Sequence, residues 1–88
     1  MNRSETLNEI TASLAAGHIF PNSVYFYEDL PIVVMEIDSV WNDDLAINIL
    51  EKEGYTHIKK ETAFYPDDGL TYYVHHFLLP KVKIYNNK

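Results

Sequence analysis

Between Met35 and Asp44 the chain reads MEIDSVWNDD, placing four carboxylates, Glu36, Asp38, Asp43 and Asp44, around its single tryptophan, Trp41, with no cation among them. Oxygen-rich clusters of this kind take Mg²⁺ or Ca²⁺, serve as acid–base pairs, charge the start of a helix, or form the rim of a contact surface. The spacing matches no calcium-binding loop, and no glycine supplies the sharp turn such a loop needs. No metal is therefore expected. Glu36 with Asp38 is a candidate acid–base pair, whereas Asp43 and Asp44 suit the positive N-terminal end of a helix. A tryptophan beside acids also has the composition of an aromatic anchor with a charged rim; alternatively Trp41 plugs the joint between a strand and a helix.

Other chemistry has little to stand on. His75 and His76 are adjacent, so in a strand they point to opposite faces and cannot chelate one ion together; His57 or Glu61 would have to complete a site from another strand. The serines, Ser4, Ser13, Ser23 and Ser39, lie in no nucleophile elbow, and there is no cysteine. PDDG is followed by no Glu-x-Lys, which removes a common metal-dependent nuclease pattern. The three glycines are far apart, so no phosphate-cradling loop exists. Catalytic residues and cofactors are both expected to be none.

Charge is distributed unevenly. The formal net charge is −6, yet no Lys or Arg occurs from Ser4 to Glu51, a span with nine acids: Glu5, Glu9, Glu28, Asp29, Glu36, Asp38, Asp43, Asp44 and Glu51. From Lys52 onward six lysines outnumber Glu53, Glu61, Asp67 and Asp68. Nucleic-acid phosphates would be repelled by the first half, and a basic protein surface would be attracted to it. Seven tyrosines are many for 88 residues, and tyrosine, with an apolar body and a polar tip, suits contact surfaces.

These side chains must be positioned by a small fold. Eighty-eight residues form one domain, 1–88, which buries only about 60–65% of the surface of its unfolded chain. Absence of cysteine excludes disulfides and thiolate zinc sites. The opening residues lack the basic-then-apolar order of a signal peptide, and no stretch approaches the ~20 apolar residues of a membrane helix, so a cytoplasmic protein without membrane contact is expected.

Ser4 or Thr6 is a candidate cap for a first helix with Leu7, Ile10 and Leu14 on one face, and Gly17 is placed to end it in a left-handed conformation. SVYFY and IVVMEID read as an antiparallel hairpin around EDLP. Asn42 or Asp43 caps a second helix carrying Leu45, Ala46, Ile49 and Leu50 on one face, which Gly54 stops. THIKKETAFY and LTYYVHHFLL form a second hairpin around PDDG, and PKVKIYNNK reads as a short edge strand whose lysines discourage pairing. The order αββαββ, with LAAG…FYEDL echoed by LEKEG…FYPDDGL, suggests half-repeats over 4–38 and 42–79.

The expected architecture is α+β: a four-stranded antiparallel sheet with two helices on one face. The other face must meet water or a partner. With Val24, Phe26, Val33, Met35 and Ile37 toward the helices, alternation puts Tyr25, Tyr27, Ile32, Val34, Glu36 and Asp38 on the open side. The last hairpin adds either Tyr72, Val74 and His76 or Tyr73, His75 and Phe77, both sets being about equally apolar. The composition thus favours a small acidic non-enzymatic binding protein, an inhibitor or modulator of a basic macromolecular surface, using Tyr25, Tyr27, Glu36, Asp38, Trp41, Asp43 and Asp44. Two rivals are a small-molecule-binding domain in which the two repeats, or two subunits of a homodimer meeting through the open face, enclose a Tyr/His-lined pocket, and a metal-assisted hydrolase built on Glu36, Asp38 and one histidine.

Overall fold

A computed structural model describes residues 2–85. Helix α1 (Arg3–Ala16) is followed by strands β1 (Ser23–Phe26) and β2 (Ile32–Asp38), helix α2 (Asp43–Lys52), strands β3 (Thr56–Tyr65) and β4 (Leu70–Leu78), and a short helix α3 (Lys81–Tyr85). The strands form one antiparallel sheet in the order β1-β2-β4-β3. This is the expected α+β class with its four-stranded sheet. Each half contributes one edge strand and one inner strand, although β1 and β2 have four and seven residues and β3 and β4 ten and nine.

The core lies between the helices and one face of the sheet. Ile10 and Leu14 of α1 and Ala46 and Leu50 of α2 cluster with Val33, Met35, Ile37 and Phe77, closed by Ile19, Tyr55 and Leu79. The helical spacing of Leu7, Ile10 and Leu14 thus points inward as expected, whereas Leu45 on the second helix is 42% exposed, outside the stripe that packs.

The helix ends correct two expectations. Asn2, not Ser4 or Thr6, caps α1: its backbone is extended and its side-chain oxygen accepts the Glu5 N–H at 3.0 Å. Thr6 is buried instead. At the other end Gly17 has φ −93°, and the left-handed residue is His18 at φ 59°. The Ile19 N–H donates to the Leu14 carbonyl and the His18 N–H to the Ala15 carbonyl, each at 2.9 Å, which is the Schellman pattern. Gly17 serves a different purpose. A Cβ there would lie 2.7 Å from Ile49 Cδ1, so the glycine lets α1 and α2 approach closely. Helix α2 behaves as read: Asn42 accepts the Leu45 N–H, and Gly54 at φ 96° is left-handed while Tyr55 packs back into the core.

As far as the described residues reach, the tail is not an edge strand; the end of PKVKIYNNK, 86–88, lies outside them. Lys81–Tyr85 is helical, started by Pro80, whose carbonyl accepts the Ile84 N–H at 3.2 Å. A helix sends Val82 outward, 67% exposed, while Ile84 packs on the core, and Lys83 pairs with Glu9 of α1. The strand-like alternation of lysine with apolar residues gave the wrong element because five residues are too few to separate periods of 2 and 3.6.

Candidate functional site

Because Val33, Met35 and Ile37 face the helices, Ile32, Val34, Glu36 and Asp38 point to the open side of the sheet, and cross-strand pairing extends this face. The registers place Tyr25 beside Val34, Val34 beside His76 and His76 beside Lys59 in one row. The next rows carry Glu36, Val74 and Glu61, then Asp38, Tyr72 and Ala63. The open question of β4 is thereby answered: Tyr72, Val74 and His76 lie on the open face, and Tyr73, His75 and Phe77 lie on the helix side.

Aromatic rings cover much of this face. Tyr27 meets His76 edge-on at 5.6 Å, and Tyr65 meets Tyr72 edge-on at 5.0 Å. Val34, in the row between Tyr25 and His76, retains 1% exposure although no helix covers it. Two phenols converge on one carboxylate: Tyr25 donates to Glu36 at 2.8 Å and Tyr65 donates to the other oxygen of Glu36 at 3.4 Å. Tyr72 donates to Asp68 at 3.1 Å. Burial, reinforced by the Glu36 hydrogen bond and charge, pushes the Tyr25 phenol up to about 12. The Glu36 charge raises Tyr65, and burial with the Asp68 bond raises Tyr72. All three phenols therefore stay protonated donors around the carboxylates at neutral pH. Among the described residues the only ion pair on this face is Lys59 with Glu61 at 3.6 Å, and no cation pairs with Glu36, Asp38 or Asp68.

The MEIDSVWNDD stretch is divided by the fold. Glu36 and Asp38 belong to the open face, where Asp38 also accepts the Val40 N–H at 3.0 Å and shapes the exit from β2. Trp41 is half-buried, packed on the core and edge-on to Phe20 at 6.0 Å. Asp44 is exposed. Asp43 turns inward, where its carboxylate is 2.8 Å from Lys60 Nζ of β3 and 3.2 Å from Nε2 of His75. The seven residues expected to form one surface thus occupy two places, with Tyr25, Tyr27, Glu36 and Asp38 together on the sheet and Trp41, Asp43 and Asp44 at the start of α2.

The inward turn of Asp43 creates a polar chain that the sequence reading missed. His57 Nε2 lies 2.9 Å from His75 Nδ1, and His75, fully buried, reaches Asp43 with its other nitrogen. Lys60 also lies over the Tyr73 ring at 4.0 Å. Burial, and then the neighbouring His57, lower the His75 pKa below the ordinary histidine value, with Asp43 pulling the other way. Burial alone would raise Asp43, but the bond and charge of Lys60 outweigh it and hold the carboxyl below the usual range; Lys60 is raised in return. The register shift between His57 and Lys59 allows the arrangement, because one extra residue there puts both His57, opposite Phe77, and Lys60, opposite His75, on the helix side, where strict alternation would separate residues three apart. Two histidines in antiparallel strands plus a lysine three residues after the first are visible in the sequence, but the bulge that joins them is not.

Chemically, this chain can bind and pass a proton. No Ser or Thr hydroxyl hydrogen-bonds to either ring among the described residues. Nor does any group of three His, Asp or Glu side chains among them form a metal-holding cluster. Of the histidines open to the hydrolase reading with Glu36 and Asp38, His76 shares their open face, whereas His57 and His75 lie on the helix side. No helix among the described residues is long and apolar enough to cross a membrane. No family model, curated protein sequence or solved structure matches the chain.

Proposed function

We propose that the protein is a non-enzymatic binding module, an inhibitor or modulator that docks a cationic protein surface onto the open face of its sheet. The observation carrying this reading is the Glu36 carboxylate, held by the hydroxyls of Tyr25 and Tyr65 and paired with no cation among the described residues. Fixing a carboxylate with protonated phenols organises it before binding, which reduces the cost of ordering side chains in a complex. Tyr25, Tyr27 and Tyr65, each about two-fifths exposed, supply apolar area around that charge, and Asp38 and Asp68 extend it along one end of the face.

Charge also selects the occupant. The open face carries Glu36, Asp38, Glu61 and Asp68 against Lys59, so docking on a second copy would bring like charges together. An arginine- or lysine-bearing partner removes that conflict. Asp43 is committed to Lys60 and His75 and takes no part, while Trp41 supports the joint between β2 and α2.

The test is affinity capture from an extract of the native host with three baits: the wild type, a Glu36→Gln/Asp38→Asn/Asp68→Asn triple variant, and Asp44→Asn/Glu51→Gln/Glu53→Gln as a control that removes as many exposed charges from α2 and its end. The expected result is a protein retained by the wild type and the control, lost by the triple variant, and released progressively by salt. Retention that ignores both the triple substitution and ionic strength overturns the reading.

A further inference from the structure

The chain from His57 through His75 to Asp43 lies on the helix side of the sheet, away from the proposed docking face. Its protonation is dictated by geometry. Asp43, paired with Lys60, is an anion, and His75 Nε2 faces it at 3.2 Å, so that nitrogen carries the hydrogen. The approach is side-on, outside hydrogen-bond alignment, yet a bare lone pair there would face the carboxylate charge directly. A neutral His75 then has a lone pair on Nδ1, and the 2.9 Å contact requires His57 to donate its Nε2–H. The remaining open acceptor of the pair is Nδ1 of His57, which is half-buried where His75 is sealed.

We propose that this chain is a proton-counting switch: the His57–His75 pair holds one added proton with its contacts intact, and a second opens the start of β3 from β4 and α2. With one proton added to the pair the inter-ring bond is unchanged, because a single hydrogen still lies between the facing nitrogens, His57 Nε2–H donating to His75 Nδ1. The second must bind His75 Nδ1. Two N–H groups then point at each other across 2.9 Å, and the bond between the rings becomes a repulsion.

The surrounding charges favour the same limit. Facing the pair are Asp43 of α2, with Asp44 beside it acting on Lys60; Lys60 of β3; and the Tyr73 phenol of β4. Met35, the cross-strand neighbour of His75 on β2, and Phe77, its ring tilted 55° against His57 at 5.1 Å, bring no charge. One imidazolium with Lys60 balances the two carboxylates, and a second leaves an excess cation in a buried place. The yielding element is defined as well. The strand is already irregular between His57 and Lys59, and Lys59 pairs with His76 on the docking face, so opening on one side of the sheet alters the other.

The experiment is an NMR titration of the full chain from about pH 8 to 5, following the histidine ring nitrogens together with amide hydrogen exchange. The expected result is two separated protonation steps shared by His57 and His75. Exchange protection of residues 57–60 should be kept through the first step and fall about tenfold or more in the second. His57→Gln separates the switch from a general effect of acid. Its amide donates to a neutral His75 or, flipped, accepts from a charged one, so protonation proceeds without opening. Independent one-step titration of the two rings, protection that survives both steps, or the same acid opening in His57→Gln each overturns the proposal.

Discussion

The close approach of α1 to α2 passes through one glycine, Gly17, set against Ile49 of α2, so that glycine is a sensitive place to perturb. Replacing Gly17 by Ala brings two opposing terms. Gly17 has φ −93°, a conformation alanine adopts freely, so the substitution recovers about 0.4–1 kcal/mol by restricting the unfolded chain. Against this, the new Cβ lies 2.7 Å from Ile49 Cδ1, and overpacking of this kind costs ~1–3 kcal/mol. The clash should win, leaving a net loss of roughly 1–2 kcal/mol. Ile49→Val deletes the very methyl that is struck, at a cost of about 0.5–1.5 kcal/mol alone. The double variant should then be more stable than the two single losses imply, by at least ~0.5 kcal/mol of coupling. Urea unfolding with constant slope measures all four corners, and each kcal/mol corresponds to a midpoint shift of roughly 4–8 °C on heating a domain of this size. Strict additivity, or a stabilised Gly17→Ala, would refute the close approach of the helices and return Gly17 to an ordinary cap.

Gly54→Ala should cost ~1–2 kcal/mol for a different reason, since it forces a Cβ into φ 96° and against Pro80 at 3.2 Å, whereas His18→Gly at φ 59° should be neutral or gain up to about 1 kcal/mol. With its phenol raised to about 12 by burial and Glu36, Tyr25 should resist ionisation at pH 11, where a tyrosine at the ordinary 10.0 is about 90% ionised; the ultraviolet absorbance step missing at that pH should be unchanged in Tyr25→Phe. Acid stability has a definite sign. The folded state binds a proton at His75 less readily than the unfolded chain does, so stability present above 6.5 falls as pH drops from there toward the lowered folded value. Asp43 works the same way below 3.8, its contribution being lost as pH falls through its lowered folded value. Asp43→Asn should remove the lower of these losses and deepen the upper one, because the anion that eases protonation of His75 is gone; stability curves from pH 7 to about 3 distinguish the two.

The sequence by itself determined what depends on neighbours along the chain. Alternation in IVVMEID put Glu36 and Asp38 on the face opposite Val33, Met35 and Ile37; Asn42 and Gly54 marked the ends of α2 through cap chemistry; PDDG marked the second hairpin turn. Such signals are local, with periods of 2 or 3.6 residues, and need no knowledge of the partner strand. What tertiary structure decided is non-local. LTYYVHHFLL is apolar in both phases, and only pairing with β2 assigned Tyr72, Val74 and His76 to the open face. The second half of MEIDSVWNDD changed meaning in the same way, because Lys60 arrives beside Asp43 from a strand whose register is set by pairing with β4. The meeting of Lys60 with His57 and His75 on one face depends on a single extra residue in β3, because without it the side chains beyond the bulge would point to the other face of the sheet. No spacing within the chain records such a slip, since it is fixed by the summed packing of strands that meet only after folding.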